Sequence, residues 1–75
     1  MHDSHLTTLL DTARAVIDSG SLAPGDNFFT LGATSVDAVR LVSILETDHG
    51  LLLDMEHVFE CHDFAELAGK VVPAA

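Results

Sequence analysis

The stretch DNFFTLGATSVDAVRLV, residues 26–42, governs how this chain is read. Two adjacent phenylalanines lead into Leu31-Gly32, small residues follow, and Ser35 stands at the start of a segment with helical periodicity. Ala38, Leu41, Val42 and Leu45 are spaced as a core-facing stripe and predict a helix from about Ser35 to His49, stopped by Gly50. Val36 and Val39 fall to one side of that stripe, among Asp37, Arg40 and Ser43. They either widen the core face or stand exposed as a docking surface, and spacing alone favours neither.

The flanking sequence supports a helical protein. Leu6, Leu9, Leu10, Ala13, Val16 and Ile17 form one apolar stripe and predict a first helix near residues 4–19. Asp3 or Ser4 can cap its start, and Gly20 after Ser19 can end it. Residues 20–34 show no sustained period, so they read as a long ordered connection pinned by Leu22, Phe28, Phe29 and Leu31, with room for one helical turn. LLLDMEHVFEC, residues 51–61, holds a short helix capped by Asp54, with Val58 and Phe59 expected inward. Asp63 and Glu66 make a variant capping box before Phe64, Leu67, Ala68 and Val71, and Pro73 closes the ordered part. No segment alternates with period two for long enough to predict a strand. The expected fold is all-α: a small four-helix bundle of three main helices and one short one, with a long first loop. It is expected to form a single domain over residues 1–75 with an ordered core of about 4–72.

Composition narrows the function. A chain of 75 residues buries only about 60% of its unfolded surface, yet 48% hydrophobic residues suffice for one core. With no Trp or Tyr, that core rests on Leu, Val, Ile, Ala and four Phe. Twelve acidic residues against three basic ones give a net charge of −9, which argues against nucleic-acid binding and for partners with basic patches. A single cysteine, Cys61, cannot form an internal disulfide and fits a reducing, cytoplasmic setting. No signal peptide or membrane span is expected, because the apolar runs are too short.

Catalytic and metal readings are weak. His57 and Cys61 are four residues apart with His62 adjacent, but a structural zinc site wants four ligands and no remainder is evident. None of His2, His5, His49, His57 or His62 stands at a spacing that supplies a base for Ser35, and LGATS lacks the glycine that follows serine in a nucleophile elbow. Phosphate chemistry suits Ser35 better. Free N–H groups and the positive dipole end at a helix start favour an anion there, and Gly32, Ala33 and Thr34 allow another protein to approach closely. The competing reading is that Ser35 is simply the helix cap.

DNFFTLGATSVDAVRLVSIL resembles the attachment segment of phosphopantetheine carrier proteins, with the pattern D-x-F-F-x-L-G-G-x-S. LDMEHVFECHDFAELAGKV extends the likeness to the third and fourth helices of the peptidyl carrier domains of nonribosomal peptide synthesis. Asp26, Phe28, Phe29, Leu31, Gly32 and Ser35 carry the motif. The resemblance implies a non-enzymatic carrier. Ser35 would receive a covalent 4′-phosphopantetheine arm from coenzyme A, and the arm would hold an aminoacyl or acyl group as a thioester. It implies a phosphopantetheinyl transferase, an adenylation or other acyl-loading enzyme, and condensation or tailoring enzymes as partners. A start at Met1 and an end just after the last helix lead us to expect a free-standing carrier, although a module cut from a synthetase would read the same, and the need to visit several active sites favours a monomer. Docking would fall to Val36, Val39, Arg40 and Ser43, with Phe29, Thr30 and Thr34 in the loop. Ala33 replaces the second glycine of the pattern, and Thr34 and Arg40 stand where fatty-acid carriers are acidic; these departures favour a peptidyl over an acyl carrier. An acyl carrier of a polyketide or fatty-acid pathway and a non-covalent acidic interaction domain are the alternatives.

Overall fold

A computed structural model describes residues 4–17 and 22–74. Helix α1 spans Ser4–Ile17, a 3-10 turn covers Phe29–Leu31, and α2 spans Ser35–His49. Two short helices follow, α3 at Met55–Glu60 and α4 at Phe64–Ala68. The caps expected for the first helix (Asp3, the Ser4 side chain, Ser19 and Gly20) lie outside the described residues, as do the last two positions of its expected length.

The two long helices form as their apolar spacing dictates. In α1, Leu9, Leu10, Ala13 and Val16 are buried, with Leu6 and Ile17 packed at the margin. Thr12 is the buried polar exception among the described residues, and its hydroxyl donates to the Thr8 carbonyl at 2.8 Å, so it is not left unpaired in the core. In α2, Ala38, Leu41 and Leu45 are fully buried while Val42 is half-buried. Gly50 ends this helix in the left-handed conformation, φ 64°, with its N–H directed at the Glu46 and Leu45 carbonyls. A residue with a Cβ resists that conformation, which is why the stop falls there.

Three features depart from the sequence expectation. The fourth helix is a five-residue element rather than a main helix, because the N–H groups of Gly69, Lys70 and Val71 bond three residues back and tighten the chain out of α-geometry. Val71 is still buried, just past the helix end. A strand pair is also present: β1, Leu51–Leu52, lies antiparallel to β2, Val72–Pro73, with Leu51 opposite Pro73 and Leu52 opposite Val72. Two residues per strand are too few to leave a periodic trace, and Pro73, expected to close the ordered part, is the last residue of this ladder. Finally, Phe59 is 53% exposed although it was expected inward with Val58, which is buried. Neighbours on a helix diverge by about 100°, so a narrow core face accepts only one of them.

The connection between α1 and α2 is anchored to α4 by the backbone. The first two N–H groups of α4, those of Phe64 and Ala65, donate to the Asp26 and Pro24 carbonyls at 3.1 and 2.9 Å. The Glu66 N–H donates to Asp63 Oδ1 at 2.8 Å, so the donors a helix start leaves unpaired are met by the loop and by the cap. Asp26 holds the loop in shape for this, accepting the Ala23 N–H on its carboxylate at 2.9 Å.

Candidate functional site

Four phenylalanines, all that the chain contains, form a continuous file from core to surface. Phe64 of α4 is fully buried and meets Phe28 edge-on at a centroid distance of 6.2 Å. Phe28 meets Phe29 edge-on at 5.5 Å, and Phe29 stacks nearly parallel on Phe59 at 5.1 Å. Edge-on and stacked pairs of this kind add roughly 0.5–1.5 kcal/mol each beyond area burial. The file fixes the start of the motif loop between the core and α3. Phe29, expected as a docking residue, is half-buried and bridges to the exposed Phe59.

Past the aromatic pair the chain turns sharply. Gly32 adopts φ 98°, ψ 6°, and its N–H returns to the Phe29 carbonyl at 3.1 Å, closing the 3-10 turn. This left-handed position is where the motif requires glycine. Ala33 packs against the core, and Thr34 is extended at φ −107°, ψ 175°.

Thr34, not Ser35, is the cap of α2. Its Oγ1 accepts the Asp37 N–H at 3.3 Å, and Asp37 Oδ2 accepts the Thr34 N–H at 3.0 Å, a reciprocal capping box. Ser35 is therefore the first fully helical residue. It is exposed, and among the described residues no hydrogen bond engages its hydroxyl. The N–H groups of Ser35 and Val36 likewise take no backbone partner among the described residues. The result is an idle hydroxyl beside two free donors at the positive end of a 15-residue helix. Among the described residues no base is hydrogen-bonded to it, as activation of a nucleophilic serine would need.

Near Ser35 in sequence, two apolar side chains of α2 are left exposed. Val36 is 69% exposed and Val39 55%, so these valines stand outside the core stripe. Thr30, Thr34, Arg40 and Ser43 are exposed beside them, and Arg40 makes no ion pair among the described residues. Leu31 and Phe59 are exposed as well and were not anticipated as surface residues. The adjacency of Val58 and Phe59 in a short helix was the signal for the second.

The remaining chemistry lies elsewhere. Cys61 is buried and its thiol is pushed up by that burial, with Glu66 adding to the effect, so it is a poor nucleophile and a poor ligand. Among the described residues no group of three or more His, Cys, Asp or Glu side chains converges as a metal site, and His62 points to solvent. Asp54 precedes α3 in the cap position, but its side chain makes no cap hydrogen bond and instead lies 4.0 Å from His57. The box expected at Asp63–Glu66 is half formed. Asp63 caps, while Glu66 reaches one residue further back and accepts the His62 N–H at 2.6 Å. That bond and the His62 ring hold the Glu66 carboxyl below its usual range. No helix among the described residues is long and apolar enough to cross a membrane.

A family model described as "Phosphopantetheine attachment site" matches residues 7–71. Among curated proteins, the chain is 36% identical over 78 residues to the nonribosomal peptide synthetase verP of Clonostachys rogersoniana, covering 97% of this chain and 4% of that protein. It is 38% identical over 55 residues to the HC-toxin synthetase of Cochliobolus carbonum, covering 73% of this chain and 1% of that protein. It is 44% identical over 50 residues to the nonribosomal peptide synthetase imqB of Aspergillus flavus, covering 67% of this chain and 2% of that protein. The chain thus spans only a few per cent of each of these relatives. No solved structure matches it significantly. The free serine, the helical bundle and the family match agree: this chain belongs to the phosphopantetheine attachment-site family, non-catalytic carrier domains that bear covalent 4′-phosphopantetheine, and it is similar to those of nonribosomal peptide synthetases.

Proposed function

We propose that this chain is a peptidyl (aminoacyl) carrier whose Ser35 hydroxyl accepts 4′-phosphopantetheine from coenzyme A. The observation that carries the proposal is the division of labour at the start of α2: Thr34 caps the helix, leaving Ser35 exposed with an unbonded hydroxyl. In the attachment step Ser35 Oγ forms the new ester bond to phosphorus, and the pyrophosphate link of coenzyme A breaks to release adenosine 3′,5′-bisphosphate. The hydroxyl proton passes to a base on the transferase, since among the described residues no side chain is bonded to the hydroxyl to take it. The free Ser35 and Val36 N–H groups favour the phosphodiester charge where it comes to lie. When bound, the arm supplies the thiol that holds aminoacyl or acyl cargo as a thioester.

Val36, Val39, Arg40, Ser43, Thr34 and Phe29 form the docking surface in this reading, joined by Leu31 and Phe59. A phosphopantetheinyl transferase, an adenylation or other acyl-loading enzyme, and condensation or tailoring enzymes use it in turn, in the cytoplasm. The net charge of −9 steers those encounters toward basic partner faces. Likeness to peptide synthetases favours amino-acid cargo over a fatty-acyl chain.

Peptide-level mass spectrometry tests the assignment after incubation with coenzyme A, magnesium and a broad-specificity transferase. Phosphopantetheine is expected on the peptide containing Ser35, and subsequent loading by adenylating enzymes is expected to add an aminoacyl thioester. Modification at Ser43 or another hydroxyl would overturn the site. Loading by acyl transferases alone would overturn the peptidyl assignment.

A further inference from the structure

Asn27 occupies a position that the motif leaves unspecified, yet it uses every hydrogen-bonding valence of its amide. Its Oδ1 accepts the Phe29 N–H at 2.8 Å and the Thr30 N–H at 3.2 Å. Its Nδ2 donates to the His62 carbonyl at 2.8 Å and to the Cys61 carbonyl at 3.4 Å, across 35 and 34 residues of sequence. The Thr30 hydroxyl adds a bond to the Asn27 carbonyl at 2.9 Å. One half of the amide thus meets only N–H groups and the other half only carbonyls. No other side chain of this length presents two acceptor sites and two donors in that arrangement.

The position of these bonds gives them consequence. Upstream, the loop is tied to α4 by the backbone bonds of Pro24 and Asp26. Downstream of residue 27, among the described residues, no backbone hydrogen bond joins the 3-10 turn to α3 or α4. The Asn27 amide is the last polar tie before the turn, and past it the turn meets α3 through the stack of Phe29 on Phe59. This tie and this stack hold together two elements, the turn leading into α2 and its Ser35 end, and α3 with its exposed Phe59.

We propose that Asn27 is a positioning residue, whose amide clamps the Phe29–Leu31 turn to the α3–α4 junction so that the Ser35 end of α2 and the Phe59 face of α3 meet partner enzymes as one surface. This rests on the reading of Ser35 as the attachment residue. Asn27→Asp separates the two halves of the clamp: the carboxylate still accepts from Phe29 and Thr30, but it donates nothing and faces the Cys61 and His62 carbonyls with a charge.

The test is transferase kinetics with coenzyme A on wild type, Asn27→Asp, Asn27→Ala and Phe59→Ala, each at a temperature where it is fully folded by circular dichroism. Asn27→Asp is expected to raise KM for the carrier about tenfold, the scale of one to two lost hydrogen bonds, with kcat within about twofold. In a Phe59→Ala background the same substitution is expected to add little, because the face it aligns is already lost. A variant with a lowered melting temperature but wild-type KM would overturn the proposal and leave Asn27 a purely structural residue. Full additivity with Phe59→Ala would overturn it as well. Wild-type protein that takes no phosphopantetheine would instead remove the attachment reading beneath it, so the two failures are distinct.

Discussion

Thr34 and Ser35 are adjacent, exposed hydroxyl residues of similar capping propensity, yet the structure gives them opposite roles, and exchanging each for alanine separates those roles. Thr34→Ala removes the acceptor of the Asp37 N–H and leaves Asp37 as the remaining half of the box. Loss of an N-cap costs about 0.5–2 kcal/mol. The 3.3 Å bond and its exposure place this one near the middle, at about 1 kcal/mol. With an unfolding entropy of about 2.1 cal/mol/K per residue, a chain this size loses roughly 0.16 kcal/mol per degree, so the melting temperature should fall by about 6 °C. Ser35→Ala removes a hydroxyl with no partner among the described residues and installs a better helix former, so its effect should lie within about 0.5 kcal/mol, or 3 °C, of zero. Thermal unfolding followed by circular dichroism at neutral pH measures both. Phosphopantetheine transfer should give the reverse order, abolished in Ser35→Ala and retained in Thr34→Ala. A Ser35→Ala protein destabilised as much as Thr34→Ala would mean that Ser35 is the cap, and the argument from an idle hydroxyl would fail.

Other substitutions probe separate parts of the account. Val36→Asp should leave the melting temperature within a few degrees of wild type, because the side chain is 69% exposed, while raising the transferase KM; unchanged modification kinetics would take Val36 out of the docking surface. Phe64→Ala should cost about 3–5 kcal/mol, a large share of the roughly 4–11 kcal/mol available to 75 residues, and urea titration should show a mostly lost native baseline. Glu66→Gln should reduce stability at neutral pH, where the carboxylate accepts the His62 N–H. Because the folded-state value is depressed, the wild-type advantage is full above the ordinary glutamate range and vanishes as pH falls through the lower folded value. Urea midpoints for the two proteins should therefore converge in acid, and a gap that persists there would assign the effect to something other than this charge.

What could be read from the sequence was what repeats. The stripes Leu6–Ile17 and Ala38–Leu45 carry the helical period and occupy the core as spaced, and Gly50 stops α2 by a conformation only glycine takes easily. Ser35 was identifiable as the notable serine and as the start of α2, but which of Thr34 and Ser35 caps that helix was not, since both suit a cap. The relation of Thr34 to Asp37, three residues on, was the deciding pattern. Phe59 was misjudged because apolar character predicts burial only on average, whereas its neighbour Val58 had already filled the inward direction. The β1–β2 pair and the Asn27 clamp are contacts between distant segments of one or two residues, and nothing periodic announces them.

Intact-protein mass spectrometry of wild type and Ser35→Ala, after incubation with coenzyme A, magnesium and a broad-specificity transferase, puts the carrier assignment at stake in one experiment. The expected result is complete conversion of the wild type to a species bearing one phosphopantetheine and no change in the variant. A folded wild type that stays unmodified, or a Ser35→Ala protein that is modified to the same extent, would contradict it.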